Sequence, residues 1–267
     1  MQSIIKPLAD AARHFLFPDA CLTCNRHVAQ HGALCAGCWD EIIMIDHPVC
    51  AVTGLPFSHD YGDDMVSAEA LADPPDYTMA RAAAVHVGTA RQMVSRLKYH
   101  DQLLMAPLMA RWIARAGRPI LDQTDLLMPV PLHWRRFVGR RYNQAAELAR
   151  HVSMLEAIEL DTASLIRKRA TKPQVGLTAS ARAANVRGSF SVREGHEINI
   201  QGRNITLIDD VYTTGATVNA AARALIKAKA TNVFVLTFSR VVPGIHEKPK
   251  AIKKPFPARL QSLYRRK

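Results

Sequence analysis

Two adjacent carboxylates sit between an apolar run and a turn of small hydroxylated residues in Ile205-Thr-Leu-Ile-Asp-Asp-Val-Tyr-Thr-Thr-Gly-Ala-Thr217. Residues 205–208 are mostly β-branched and apolar, which suits a strand buried in a parallel sheet. Residues 218–229 are alanine-rich with apolar positions at helical spacing. The unit therefore reads strand, loop, helix. In the loop, Thr213 and Thr214 supply hydroxyls, Gly215 lets the backbone come close, and free N–H groups of the first helical turn face any anion there. Asp209 and Asp210 would repel a bare phosphate, so the ligand must also offer groups that a carboxylate accepts from: sugar hydroxyls, directly or through a divalent cation. A phosphorylated ribose has both ends.

A plain strand-to-helix turn explains one capping Asp or one capping Thr, but not both acids followed by Thr-Thr-Gly-Ala-Thr. No Gly-x4-Gly-Lys-Ser/Thr loop and no Gly-x-Gly-x2-Gly fingerprint occurs, which argues against a P-loop nucleotidase or a dinucleotide-dependent oxidoreductase. The 267 residues, 48% of them apolar, are enough for one sizeable α/β core plus a smaller module. The formal charge of +12 implies an anionic partner without choosing among nucleotides, nucleic acid and anionic membrane. No apolar run reaches the length of a membrane span, and Pro7 and Asp10 interrupt any secretory core, so a cytoplasmic protein is expected.

Four of the five cysteines form two matched pairs, Cys21-Leu-Thr-Cys24 and Cys35-Ala-Gly-Cys38, ten residues apart. Each Cys-x2-Cys turn converges two thiolates on one ion, and two turns complete a closed tetrahedral zinc site of the structural kind. Disulfides or a redox pair are the alternatives. Two matched pairs without a secretory signal favour zinc. His27 and His31 lie in the same loop and can substitute as ligands, although four thiolates already satisfy the ion.

The remaining pattern organises the chain. Residues 1–20 carry Ile4, Ile5, Leu8, Ala12, Phe15 and Leu16 at the spacing of a short amphipathic helix. Residues 46–75 are irregular and rich in Pro, Gly, Asp and Ser. After them come a strand at 82–87, helices at 90–99 and 103–116, a strand at 126–130, a helix at 145–155 and a closing strand at 232–239. Strands alternating with helices predict an α/β fold with a mainly parallel sheet that binds ligands at the carboxyl ends of its strands. Two segments are strongly basic. Residues 131–144 hold Arg135, Arg140 and Arg141 among the aromatics Trp134, Phe137 and Tyr142. Residues 165–185 hold Lys168, Lys172 and Arg182 and read as a mobile loop rather than a fixed element. Residues 243–267 read as a disordered basic tail with no assigned role, carrying eight Lys or Arg against one Glu. The expected division is thus an N-terminal helix (1–20), a ribbon module (21–75), the α/β domain (76–242) and the tail (243–267).

The segment 205–217 resembles the 5-phosphoribosyl-1-pyrophosphate (PRPP) motif of type I phosphoribosyltransferases, with Tyr212 standing where an aliphatic residue is usual. More of the chain is similar to the ComF family: the ribbon, Lys98-Tyr99, Pro129-Val-Pro-Leu132, Arg141-Tyr-Asn-Gln144, then Gln174, Arg182 and Asn185, and last the PRPP motif. The resemblance implies a type I phosphoribosyltransferase-like fold behind a zinc ribbon. It implies that Asp209 and Asp210 hold the ribose hydroxyls in the catalytic centre, and that Thr213, Thr214, Gly215, Ala216 and Thr217 hold the 5′-phosphate. It implies Mg²⁺ with PRPP, beside one structural Zn²⁺. The activity implied is transfer of phosphoribosyl to or from an unidentified nitrogenous base with release of pyrophosphate. Arg135, Arg140, Arg141, Lys168, Lys172 and Arg182 are candidates for the leaving group, with Lys98 a weaker one, though each can equally be a solvated surface charge. The alternative implied is a non-catalytic PRPP-binding or single-stranded-DNA-binding accessory of competence and DNA uptake, with the aromatics of 131–144 stacking bases or simply packing in the core. Asn143 and Gln144 can also serve as helix caps. Relatives often carry a second cysteine set. Here Cys50 keeps the first position, but Thr53, Ser67 and Ala70 replace the other three, so no second zinc is expected and Cys50 is read as a buried or free thiol.

Overall fold

The computed structural model describes residues 19–60, 62–98, 100–132, 142–168 and 188–245. The sequence-predicted N-terminal helix, the tail past residue 245, and Trp134, Arg135, Phe137, Arg140, Arg141, Lys172, Gln174, Arg182 and Asn185 lie outside the described residues.

Two short helices, α1 (Ala36–Trp39) and α2 (Ala68–Ala72), belong to the amino-terminal module. The α/β domain then runs β1 (Met79–Val85), α3 (Gly88–Leu97), a 3₁₀ segment (His100–Met105), α4 (Ala106–Ala116), α5 (Arg118–Leu121), β2 (Leu126–Pro129), α6 (Gln144–Glu156) and β3 (Glu159–Leu160). It continues with β4 (Leu165–Arg167), β5 (Phe190–Val192), β6 (Asn204–Tyr212), α7 (Ala216–Lys227) and β7 (Asn232–Arg240). Five strands form one sheet in the order β1-β7-β6-β2-β3, and every pairing in it is parallel. A mainly parallel sheet flanked by helices, as the alternating pattern predicts, is what forms.

The two central strands are apolar for a physical reason, since both of their faces are covered. On one face, Met93 and Leu97 of α3, Met109 and Ile113 of α4 and Leu148 of α6 pack on Ile208, Phe234 and Phe238. On the other, Val218, Ala221, Ala222 and Leu225 of α7 pack on Ile205, Leu207, Val233 and Val235, joined by Leu165 and Phe190 from β4 and β5. Burying each large aliphatic side chain contributes about 1.5–3 kcal/mol, so the sheet is the main source of stability. The free edge of β1 is covered by the amino-terminal module, where Ile45 N–H donates to Ala83 O (3.0 Å) and Val85 N–H to Ile43 O (2.8 Å).

Several expectations move. Pro107 lies at the amino end of α4, so the single helix read at 103–116 splits into the 3₁₀ segment and α4, because proline lacks the N–H that would continue the preceding turn. The first strand begins at Met79 and the first helix at Gly88, both earlier than the apolar spacing indicated. The basic stretch 165–185 does not start as a loop: Leu165–Arg167 pair antiparallel with Phe190–Val192, and Lys168 N–H donates to Ser189 O (2.8 Å). β6 runs through the acidic pair to Tyr212, because β7 pairs with it in register as far as Arg240.

Candidate functional site

The four paired cysteines meet. Their Sγ atoms all lie within 4.8 Å of one another, with Cys24 and Cys35 3.5 Å apart, and Cys35 N–H donates to Cys21 Sγ (3.2 Å). A tetrahedral zinc with 2.3 Å bonds places its sulfurs about 3.8 Å apart, so the cluster fits one ion. The thiols are electrostatically unequal. Burial pushes Cys38 up to about 12, whereas at Cys21 hydrogen bonds from Thr23 and nearby amides outweigh burial and bring it down to about 6. A cation at the centre removes that frustration by favouring all four thiolates. His31 instead bonds the Asp19 carboxylate (2.9 Å), and neither it nor His27 belongs to the cluster. Trp39, one residue past Cys38, meets Trp112 of α4 edge-on at 5.2 Å and docks the ribbon on the domain.

The second half of the module repeats the plan without the metal ligands. Ser67 N–H donates to Cys50 Sγ (3.3 Å), the counterpart of the Cys35-to-Cys21 bond, and Thr53 N–H donates to the same sulfur (3.4 Å). Ser67 then caps α2, its hydroxyl accepting from Ala70 N–H (3.4 Å). Cys50 is fully buried. Burial pushes its thiol up, but bonds from Thr53 and Ser67 outweigh this and bring it to about 7. One thiol, two hydroxyls and a methyl do not make a zinc site.

The second centre is the carboxyl end of β6. Asp209 and Asp210 are half-buried on adjacent positions, and successive side chains of a strand face opposite ways. Burial first, and the Asp210 charge second, hold the Asp209 carboxyl well above the usual carboxylate range, with Arg167 pulling the other way. Arg167, whose guanidinium lies over Phe190 at 5.1 Å, reads in the sequence only as one more cation of the basic stretch 165–185, because β4 and β5 bring it to the acids from a distance along the chain. On the other face, Lys98 at the end of α3 reaches Asp210 at 4.0 Å, which draws this weaker sequence candidate into the centre. Lys168 is exposed at the end of β4, and among the described residues its side chain forms no ion pair with the acids.

After Tyr212 the chain turns sharply. Thr213 and Thr214 are exposed, Gly215 adopts φ +74° as the N-cap of α7, and Ala216 and Thr217 open the helix. The Thr214, Gly215 and Ala216 amides donate to no described residue, so together with the helix end they form a cradle for an anion. Tyr212 is buried, its hydroxyl bonds that of Tyr77 (2.7 Å), and the Arg240 guanidinium lies over its ring at 4.6 Å.

Beside this end of the sheet, a cavity of about 400 Å³ lies between β2 and α6, lined by Pro129, Pro131, Leu132, Tyr142 and Glu147 among others. Tyr142 turns its hydroxyl to the Leu97 carbonyl, next to Lys98, so this aromatic ties the segment before α6 to the end of α3. Asn143 caps α6 by accepting from Ala145 N–H (3.1 Å), whereas Gln144 is buried and its Nε2 has no partner among the described residues.

Comparison with known proteins finds likenesses both to the ribbon and to the chain as a whole. The double zinc ribbon family matches residues 12–71. DNA utilization protein YhgH of Shigella flexneri is 28% identical over 231 residues, covering 84% of this chain and 98% of the relative. Competence protein F of Haemophilus influenzae is 27% identical with the same coverage, and competence protein ComFC of Bacillus subtilis is 27% identical over 78% of this chain and 84% of its own length. A hypoxanthine phosphoribosyl transferase of Trypanosoma cruzi overlaps 62% of this chain and 70% of its own at 15% identity, with a TM-score of 0.31. The observed architecture is a parallel sheet flanked by helices, with a four-cysteine ribbon before it. The relatives match along most of their lengths, well beyond the ribbon alone, which supports the resemblance to the ComF family.

Proposed function

We propose that the carboxyl end of β6 binds Mg²⁺-PRPP and that the protein transfers phosphoribosyl to or from a nitrogenous base, releasing pyrophosphate. The observation that carries this reading is the union of two chemistries on one strand end, a carboxylate pair followed by an open amide cradle. The Thr213, Thr214, Gly215, Ala216 and Thr217 turn takes the 5′-phosphate, and Asp209 and Asp210 accept from the ribose hydroxyls. Mg²⁺ suits the hard carboxylate oxygens here and, when bound, neutralises charge on the diphosphate. Lys98, already beside Asp210, is a described cation placed for the leaving group. Arg135, Arg140, Arg141, Lys168, Lys172 and Arg182 remain candidates for the same task. The site belongs to an α/β domain over 76–242, with the ribbon module at 21–75. Four free thiols gathered on one structural zinc suit the reducing cytoplasm.

The test is thermal. Saturating Mg²⁺-PRPP at about a hundred times its Kd adds about 2.7 kcal/mol, a rise in Tm of roughly 5–10 °C for a chain of this size. Asp210→Asn abolishes the rise, and an unchanged wild-type melting curve overturns the reading. A second reading is favoured by the names of the relatives, DNA utilization and competence proteins, together with the +12 charge: a PRPP-binding accessory that contacts single-stranded DNA during uptake. Pyrophosphate release across a panel of bases separates the two. Release with any base supports transfer, whereas none, alongside single-strand affinity that falls steeply with salt, supports the accessory.

A further inference from the structure

Tyr212 occupies the space directly beneath the turn. A Cβ built on Gly215 would collide with the Tyr212 hydroxyl oxygen and stand 2.8 Å from the ring carbon that bears it, so the turn rests on this side chain. Three contacts keep the ring in place. Its hydroxyl bonds Tyr77, the Arg240 guanidinium sits over its face, and strand pairing sets Tyr212 opposite Arg240. Arg240 is itself unusual. It is only 5% exposed, forms no ion pair among the described residues, and its Nε has no acceptor. A buried guanidinium held this way depends on the ring beneath it and on its one carbonyl partner, Thr53 O. Thr53 lies in the half of the ribbon module that closes around Cys50 by hydrogen bonds rather than by metal.

We propose that Tyr212 is the positioning residue of the anion-binding turn, and that the metal-free half-ribbon, acting through Thr53 and Arg240, holds Tyr212 at the height the turn requires. The proposal rests on reading residues 213–217 as a phosphate site. It also gives the departure at position 212 a purpose: an aliphatic side chain has neither the length to reach Tyr77 nor the face to carry Arg240. The half-ribbon thereby contributes to ligand binding without touching ligand.

Two variants of the full chain test this, Tyr212→Phe and Arg240→Met, each compared with wild type by amide hydrogen exchange, zinc content and calorimetric titration with Mg²⁺-PRPP. Loss of one hydrogen bond is worth about 1 kcal/mol, so exchange of the Asn219 amide, which donates to Gly215 O (2.8 Å) and so reports on the turn, is expected to quicken about five-fold in Tyr212→Phe. Exchange in the rest of β6 and in β7, and one zinc per chain, should stay as in wild type, while the Kd for Mg²⁺-PRPP rises by a similar factor. If Arg240→Met does not fold, Tyr212→Phe decides alone. Asn219 exchange unchanged in the variants, or quickened equally across β6 and β7, overturns the positioning role whatever the titration gives. Failure of wild type to bind Mg²⁺-PRPP overturns the phosphate reading instead, and the exchange result still decides whether Tyr212 props the turn.

Discussion

Gly215→Ala is the perturbation whose cost follows most directly from the geometry. Two separate penalties apply. At φ +74° an L-residue pays roughly 1–2 kcal/mol for the left-handed backbone. The added methyl also runs into the Tyr212 hydroxyl, on a side chain that cannot swing aside because Tyr77 and Arg240 hold it; overpacking of this kind costs about 1–3 kcal/mol. The sum, about 2–5 kcal/mol, is a large part of the 5–15 kcal/mol typical of a folded domain. Gly202→Ala isolates the first penalty, since Gly202 has φ +75° with nothing within 4 Å of the added atom. Urea unfolding followed by tryptophan fluorescence should therefore find Gly202→Ala down by about 1–2 kcal/mol and Gly215→Ala down by about 1–3 kcal/mol more. Equal losses in the two variants would refute the contact between Tyr212 and the turn.

Elemental analysis should find one zinc per chain, lost in Cys24→Ser, because three thiolates no longer close the tetrahedron. The triple replacement Thr53→Cys, Ser67→Cys and Ala70→Cys should raise the count to two, since the backbone around Cys50 already repeats the bond from the third ligand position to the first; a count still at one would show that the half-ribbon has lost the shape along with the thiols. Asp209 sets a pH signature. Its folded pKa lies above the ordinary value of 3.8, so the folded chain binds the extra proton; the associated stability is present below 3.8 and is lost as pH rises through the raised value. Asp209→Asn should flatten that decline, and parallel wild-type and variant profiles from pH 4 to about 8 would contradict it.

Much of the candidate site was legible because it is local. Asp209, Asp210 and the Thr-Gly turn lie within nine residues, and the Cys-x2-Cys pairs carry their ligand geometry in their spacing. What escaped detection depends on contacts between distant parts of the chain. Tyr77 and Tyr212 are 135 positions apart and Arg240 and Thr53 are 187, so no window of sequence displays the stack under the turn. Pairing of β4 with β5 likewise turns a stretch that looks like a loop into a strand that carries Arg167 toward Asp209. The covered edge of β1 was hidden for the same reason, because its alanines have weak intrinsic preference for strand and are held there by Ile43 and Ile45. The misplaced helix at 103–116 is a different error, since Pro107 was in plain view.

The order β1-β7-β6-β2-β3 puts β7, the last described strand, between β1 and β6 rather than at a margin. During synthesis, the ribbon's cysteines and β1 leave the ribosome long before β7 does. The early chain can load its metal and form helices, but β1 has no sheet to join until residues 232–240 emerge. The apolar faces of α3 and α4 must wait uncovered for that interval, and chains released before residue 232 should be recovered as zinc-bearing, aggregation-prone fragments rather than as smaller folded proteins.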